Sequence, residues 1–144
     1  DSVIVIDFGE RLKSVLTSFM FSDVSNKEVS FFSLNQWFDE SLFNENALQN
    51  LYFPAIDFEN LKKFEKKYLD TFKEEPNKIA ILAYDALGLI YYCWNNNNAQ
   101  FNPDQLYNKN GFKGLHGNFV IKGNLSKHQL KIYKISDKKF LEVY

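Results

Sequence analysis

The chain has 144 residues and a formal net charge of −1, with 45% hydrophobic and 17% aromatic residues. This length suits one domain with a real hydrophobic core, and the interspersed charges form neither the basic surface of a nucleic-acid-binding protein nor a patch for anionic membranes. The longest apolar stretch, from Ile79 to Trp94, is interrupted by Asp85 and is shorter than the roughly 20 residues that a membrane-spanning helix needs. We therefore predict a single globular domain over residues 1–144.

The N-terminal third alternates strands with a helix. Val3 to Ile6 is a continuous apolar run, typical of a parallel strand covered on both faces. The next segment places four apolar residues on one helical stripe, at Leu12, Val15, Leu16 and Phe19. Val29 to Leu34 and Asn50 to Phe53 predict two further strands, and Pro54 is expected to end the second because proline lacks an amide donor.

Two helices are predicted in the middle of the chain. Asp57 is the expected N-cap of the first helix, in which apolar and aromatic side chains form one stripe at Phe58, Leu61, Phe64, Tyr68 and Phe72. Its lysines are expected to face water: Lys62, Lys63, Lys66 and Lys67. The second helix runs from Lys78 to about Trp94. It is apolar around most of its circumference, so we expect it to be the central buried helix.

The C-terminal part is predicted to contain mainly strands. Asn95 to Asn98 indicates a solvated loop, and Asn102-Pro103-Asp104 the start of a short helix that Gly111 stops. A strand follows at Phe119 to Ile121, and Leu130 to Ile135 pairs with Phe140 to Tyr144 as a hairpin. The predicted class is α/β with three layers, in which helices flank a mainly parallel sheet that ends in a C-terminal β-hairpin.

The motifs that would indicate catalysis or a cofactor are incomplete. Gly111, Gly114 and Gly117 lack the preceding strand, the Lys-Ser/Thr ending and the helix of a phosphate-binding loop, and fit a turn with positive φ values. His116 is expected at the surface, and with His128 as the only other histidine no zinc or di-metal spacing is present. Cys93 is expected to be a small apolar residue of a helix. We predict no enzyme activity, no cofactor and no metal.

A ligand cleft is predicted where the carboxyl ends of the parallel strands emerge. Three loops qualify, at residues 7–9, 35–37 and 54–57, and with the buried helix they supply four candidate cleft groups: Asp7, Trp37, Asp57 and Tyr84. Such a mixture suits a zwitterionic or amide-bearing small molecule. Alternatives stay open, because Asp7 can cap a helix, Trp37 can be half-buried at the sheet edge, and Tyr84 and Asp85 can satisfy each other or nearby backbone.

Several segments together carry a family resemblance: Asp7-Phe8-Gly9, Leu34, Trp37, Tyr52-Phe53-Pro54-Ala55, Ala83-Tyr84-Asp85-Ala86-Leu87 and the run from Gly111 to Phe119. In their order and spacing they resemble the C-terminal part of type I periplasmic solute-binding proteins, most closely the penicillin-binding protein activator branch. The resemblance implies a partial two-lobed α/β fold from which much of the first lobe is missing, so we expect the chain to be a domain fragment.

The resemblance implies a non-catalytic periplasmic binding module and leaves two functions open. One is a regulatory lipoprotein that contacts a peptidoglycan synthase, with a parent protein anchored by lipid to the outer membrane. The other is the substrate-binding component of an ABC transporter for amino acids or related amides. The bulky Phe8, Trp37, Phe38 and Phe53 leave little space for a ligand in the predicted loops, which favours the first.

Overall fold

A computed structural model describes residues 1–95 and 100–144. In chain order the elements are β1 (Ser2–Val5), α1 (Gly9–Phe21), β2 (Ser30–Ser33), two 3₁₀ helices (Glu40–Asn44 and Asn46–Leu48), β3 (Leu51–Ala55), α2 (Phe58–Phe72), α3 (Lys78–Asn95), a third 3₁₀ helix (Pro103–Tyr107), β4 (Phe112–Gly114), β5 (Gly117–Lys122), β6 (Leu125–His128), β7 (Lys131–Ser136) and β8 (Lys139–Glu142). Of the predicted loop at Asn95 to Asn98, all but Asn95 lies outside the described residues.

The chain divides into two compact units. Unit 1 contains residues 1–55 and 131–144, and unit 2 contains residues 56–130. The chain therefore leaves unit 1 after Ala55 and re-enters it at Lys131. Whether residues 1–144 unfold as the single domain expected from the sequence stays a prediction.

Unit 1 is built on a five-stranded sheet with the order β1-β2-β3-β7-β8. The first three strands are parallel, whereas β7 pairs antiparallel with β3 and β8 antiparallel with β7. The turn between β7 and β8 has positive φ at both Asp137 and Lys138, as the type I′ turn of a two-residue hairpin requires. The predicted α/β class and the C-terminal hairpin are confirmed.

The core of unit 1 combines aliphatic and aromatic side chains. Leu12 and Leu16 of α1 are fully buried, as the helical stripe predicts, but Val15 is exposed and does not join them. On the sheet, Phe38 lies 4.9 Å from Tyr133 and 5.9 Å from Phe53 between ring centroids, in edge-to-face geometry. Such pairs are favourable because the positive edge of one ring meets the negative face of the other.

Pro54 does not end the third strand, contrary to the sequence-based expectation. It lies inside β3, opposite Ile132 of β7. The pairing of β3 with β2 stops at Tyr52, so beyond that residue β7 is, within residues 1–95 and 100–144, the only strand hydrogen-bonded to β3. Position 54 therefore behaves as an edge position, where a missing amide is tolerated.

Unit 2 contains α2, α3 and an antiparallel sheet with the order β4-β5-β6. Sequence patterns found β5 but missed β4 and β6, which are only three and four residues long. The glycine-rich turn is confirmed, since Gly111 has φ +69° and Gly117 has φ +85°.

Helix α3 is not the buried helix that its composition predicts. Only Ile81 and Cys93 are buried, whereas Leu87 is 67% exposed and Tyr91 68% exposed. The described residues cover one side of this helix. They leave the apolar side chains on its other side exposed. No helix among the described residues is long and apolar enough to span a bilayer.

Candidate functional site

A buried glutamine joins the ends of β1 and β2 in unit 1. Gln36 is 3% exposed, and its side-chain Nε2 donates to the backbone oxygen of Asp7 at 3.0 Å and to Ser33 Oγ at 3.0 Å. Ser33 Oγ in turn donates to the backbone oxygen of Val5 at 2.9 Å. Because β1 and β2 are parallel, their carboxyl ends lie at the same sheet edge, and Gln36 holds the two following loops together there.

Asp7 and Trp37 lie on these two loops. The Asp7 carboxylate accepts a hydrogen bond from the Phe8 backbone N–H at 2.9 Å, so it stabilises the turn that leads into α1. Trp37 has φ +53°, and its backbone N–H donates to Asn35 Oδ1 at 2.9 Å. Both side chains are half-buried. The N-cap of α1 is Phe8, and within the described part of the chain this helix has no side-chain cap, so Asp7 makes a local turn contact and does not cap the helix. The ligand role of both residues stays a prediction.

Asp57 and Tyr84, the other two predicted cleft residues, belong to unit 2. Asp57 is the N-cap of α2, as predicted, and its Oδ1 accepts from the Asn60 backbone N–H at 2.8 Å. Tyr84 lies on α3 with its ring 5.4 Å from that of Phe64. A cleft that brings all four predicted residues together stays a prediction.

A cavity of about 550 Å³ lies within unit 2, and Tyr84 is on its wall. Its lining combines aromatic rings with a few polar groups, contributed by α2, α3 and the β4–β5 hairpin: Asn60, Tyr84, Asp85, Tyr92, Phe112 and Phe119. Cavities of this size and mainly apolar character are typical of small-molecule sites.

Asp85 connects α3 to the β4–β5 turn beside this cavity. Its two carboxylate oxygens accept from the backbone N–H of Leu115 at 2.7 Å and from that of His116 at 2.9 Å. His116 Nδ1 also lies 3.2 Å from Asp85 Oδ2. Burial alone would raise the pKa of Asp85, but these hydrogen bonds outweigh it and lower the pKa below the usual value. One of the alternatives weighed for Asp85, satisfaction of nearby backbone, is therefore confirmed.

Gly114 allows this approach. A Cβ at Gly114 would stand 2.6 Å from Asp85 Oδ2, closer than any side chain tolerates. The glycines at 111 and 117 serve the turn through positive φ, whereas Gly114 serves it by leaving space for the carboxylate. Of the three glycines, Gly114 is the one that faces the Asp85 carboxylate.

His116 is buried, and its expected place at the surface is wrong. Its exposure is 8%, because the β4–β5 turn folds it onto Asp85. Its ring lies 5.8 Å from that of His128, which stacks on Phe119 at 5.1 Å. Partial burial, and then the nearby His116, lower the pKa of His128. Within the described residues, no three His, Cys, Asp or Glu side chains are grouped as metal ligands.

Sequence reasoning missed Gln36 and the Asp85–His116 contact. A signal for the second was present, because Asp85 is the one charged residue between Ile79 and Trp94 and a charge on an apolar helix requires hydrogen-bond partners. Cys93 is buried as expected, and burial raises the pKa of its thiol.

Unit 2 also has an apolar groove of about 430 Å³ between α2 and α3, which we call the α2–α3 groove. Its lining includes Phe64, Tyr68 and Phe72 from α2 and Ala80, Ala83 and Leu87 from α3. Lys67 lies at its margin, and the hydroxyl of Thr71 donates to the backbone oxygen of Lys67 at 2.8 Å. The groove therefore presents hydrocarbon and aromatic surface with a basic border.

Comparison with solved structures shows which class of proteins has this fold. The chain aligns over 99% of its length with a protein from Rhodospirillum rubrum described as a branched-chain amino acid ABC transporter, at a TM-score of 0.69 and 10% identity. It aligns equally fully with a leucine-binding protein from Thermotoga maritima (TM-score 0.65, 13% identity) and with the C-domain of LpoA from Haemophilus influenzae, a regulator of PBP1A (TM-score 0.65, 12% identity). No protein-family profile and no curated protein sequence matches the chain.

The fold is therefore that of the type I periplasmic binding proteins, as the sequence resemblance implied. The chain spans 60% of the first of these structures and 43% and 44% of the other two. Identities of 10–13% establish the fold alone, which is shared by proteins described as an ABC transporter, a leucine-binding protein and a regulator of PBP1A.

Proposed function

We propose that the chain is a non-catalytic binding module that acts through protein–protein contact, of the kind that regulates a peptidoglycan synthase. The observation that supports this most is the exposed apolar stripe on α3, formed by Ile79, Leu87, Ile90, Tyr91 and Trp94. In helical geometry these positions lie within about one third of the circumference, so they form one surface. The relatives in structure include a regulator of PBP1A, which is consistent with such a role.

The physical argument is the cost of leaving this surface in water. Burial of apolar area is worth about 25 cal/mol per Å², and soluble proteins rarely leave large contiguous apolar patches uncovered unless they are interaction sites. Tyrosine and tryptophan are also enriched where partners bind. The α3 stripe contains both, at Tyr91 and Trp94, each at least half exposed.

The proposal includes a location and a partner. The partner is a peptidoglycan synthase, and the location is the periplasm, where the longer protein is held by a lipid anchor on the outer membrane. No cofactor takes part, because the regulator acts by contact.

The test is binding of the purified chain to a purified bifunctional peptidoglycan synthase, measured by biolayer interferometry, together with the rate of glycan polymerisation. We expect saturable binding, which a Leu87→Asp or Trp94→Asp substitution weakens at least tenfold. Lys27→Glu, an exposed change in unit 1, is the matched control and should bind normally. Absence of binding by a correctly folded native chain would reject the proposed function.

A second function is favoured by a different observation, the aromatic cavity of about 550 Å³ in unit 2. A receptor for amino acids or related amides would use such a space, and Tyr84 is the predicted ligand contact that lines it. The ligand roles of Asp7, Trp37 and Asp57 stay predictions. Ligand that binds only the folded state raises the unfolding midpoint. A midpoint that rises with millimolar amino acids, and no longer does so in Tyr84→Ala, would support the receptor, and a flat response across amino acids and amides would reject it.

A further inference from the structure

The α2–α3 groove has the properties of a site for a helical segment. Its volume of about 430 Å³ is large enough for several side chains, and most of its lining is apolar. Leu87 belongs both to this groove and to the exposed stripe on α3, so the two form a continuous apolar surface. An amphipathic helix that lays its apolar face into a groove is a common mode of recognition.

The floor of the groove permits close approach. α3 contributes four residues to the lining, of which Ala80 and Ala83 are small and Tyr84 and Leu87 are large. Small residues at positions i and i+3 let the backbone of a partner come near, while Phe64 and Tyr68 form an aromatic wall on the α2 side with ring centroids 5.8 Å apart. The hydroxyl of Thr71 donates its hydrogen bond to the backbone oxygen of Lys67 in the same helix, so its donor is already used.

The charges around the groove indicate which helix fits. Lys63 and Lys67 are one turn apart on α2, and among the described residues neither forms an ion pair with a carboxylate. Lys62 differs, because it pairs with Glu65 at 3.2 Å and lies over the Phe58 ring. Asp70 follows Lys67 by three residues without an ion pair to it, and the Asp85 carboxylate is already engaged by Leu115 and His116.

We propose that the α2–α3 groove binds an amphipathic helix of the partner protein whose apolar stripe is flanked by carboxylates. The helix is held by apolar burial in the groove, by Lys67 at its margin and by Lys63, which is exposed one turn before Lys67 on α2. This inference rests on the proposed function in one respect, that the helix belongs to the protein partner. Apolar burial supplies the affinity, and the lysines select an acidic flank and speed association.

The test uses fluorescence anisotropy with two synthetic helical peptides of about 16 residues, the length at which isolated helices begin to be stable. Both carry leucine at i, i+3, i+4, i+7 and i+11, and one has glutamate and the other lysine beside that stripe. We expect the native chain to bind the glutamate peptide about tenfold more tightly than the lysine peptide at low salt, with the preference shrinking as salt screens the charges.

Two variants separate the contributions of charge and apolar contact. The double change Lys63→Glu and Lys67→Glu should remove or reverse the preference, whereas Lys27→Glu should leave it unchanged. Leu87→Asp should weaken both peptides at least tenfold, and since Leu87 is 67% exposed this variant is expected to fold normally, as circular dichroism would verify. The proposal would be overturned if both peptides bound equally, if neither bound, or if the preference for the glutamate peptide survived the double change.

The remaining outcomes distinguish this inference from the proposed function. A native chain that binds the glutamate peptide but no synthase refutes the synthase partner and supports the groove. A chain whose synthase binding is unaffected by the double lysine change supports the function and overturns the groove. Sedimentation that shows a dimer which Leu87→Asp dissolves would assign the groove to a second copy of the chain, and would also overturn the proposal.

Discussion

Replacement of Asp85 by alanine removes a carboxylate that three groups share. The backbone N–H groups of Leu115 and His116 lose their acceptor, at 2.7 Å and 2.9 Å, and His116 Nδ1 loses its neighbour at 3.2 Å. A buried donor left without a partner costs about 1–3 kcal/mol. Both amides are part-buried, and water can replace part of the lost hydrogen bonding. We therefore expect Asp85→Ala to lower the free energy of unfolding by about 2–4 kcal/mol, a substantial part of the 5–15 kcal/mol that stabilises a typical protein.

Urea denaturation followed by circular dichroism measures this loss, and thermal unfolding should show a decrease in Tm of roughly 2–4 °C for each kcal/mol. Asp85→Asn keeps the shape of the side chain and one acceptor oxygen, but it turns an NH₂ group toward a backbone donor. We therefore expect this variant to lose about 1–2 kcal/mol of unfolding free energy. Asp104→Asn, an exposed substitution elsewhere in unit 2, is the control and should change stability by less than about 0.5 kcal/mol.

The pH dependence follows from the lowered pKa of Asp85. The unfolded chain takes up a proton on this carboxyl at a higher pH than the folded chain does, so its contribution is complete above the unfolded pKa and is lost as pH falls through the folded pKa. The stability difference between the native protein and Asp85→Asn should therefore shrink in acid. An Asp85→Ala protein as stable as the native one at pH 7, or a difference that does not change in acid, would refute this account.

Three further predictions concern backbone positions and cooperativity. Gly114→Ala should destabilise the protein by more than 1 kcal/mol, because its Cβ would stand 2.6 Å from the Asp85 carboxylate, whereas Gly88→Ala, with nothing within 4 Å, should stabilise α3 by about 0.5–1 kcal/mol; urea midpoints compare the two. Lys138→Gly should stabilise the β7–β8 hairpin by up to about 1 kcal/mol, since the residue has φ +58°, and an unchanged or lower Tm would contradict this. If residues 1–144 form one domain, calorimetry should show a single transition whose calorimetric and van't Hoff enthalpies agree, and two transitions would assign separate stabilities to the two units.

Local signals in the sequence were sufficient for much of the secondary structure. The N-cap at Asp57, the helix start at Pro103 and the positive φ values of Gly111 and Gly117 depend on groups only a few residues apart. The strands β1 and β2 and the hairpin at the C-terminus were likewise predictable, because strand patterns and turn residues are properties of short segments. The expectation that β1 is covered on both faces is wrong, since Ile4 is 70% exposed.

The candidate site was less predictable, because it depends on groups distant in the chain. Asp85 and Leu115 are thirty residues apart, yet the carboxylate determines why Gly114 must be glycine and why His116 is buried. Gln36 reaches across to the β1 end in the same way. In each case a polar group that becomes buried must form hydrogen bonds within the protein. Which group accepts or donates them depends on what lies nearby in the folded structure, and not on distance along the sequence.

The sequence by itself determined the α/β class, the order of most elements and the resemblance to type I periplasmic binding proteins, because hydrophobic periodicity and capping act over a few residues. The tertiary structure decided which face of α3 is covered. Its composition predicts burial on all sides, but packing covers it only around Ile81 and Cys93 and leaves the stripe from Ile79 to Trp94 exposed. An apolar sequence indicates that a surface is more stable out of water, whereas only the packed chain shows which surface is covered and which stays exposed.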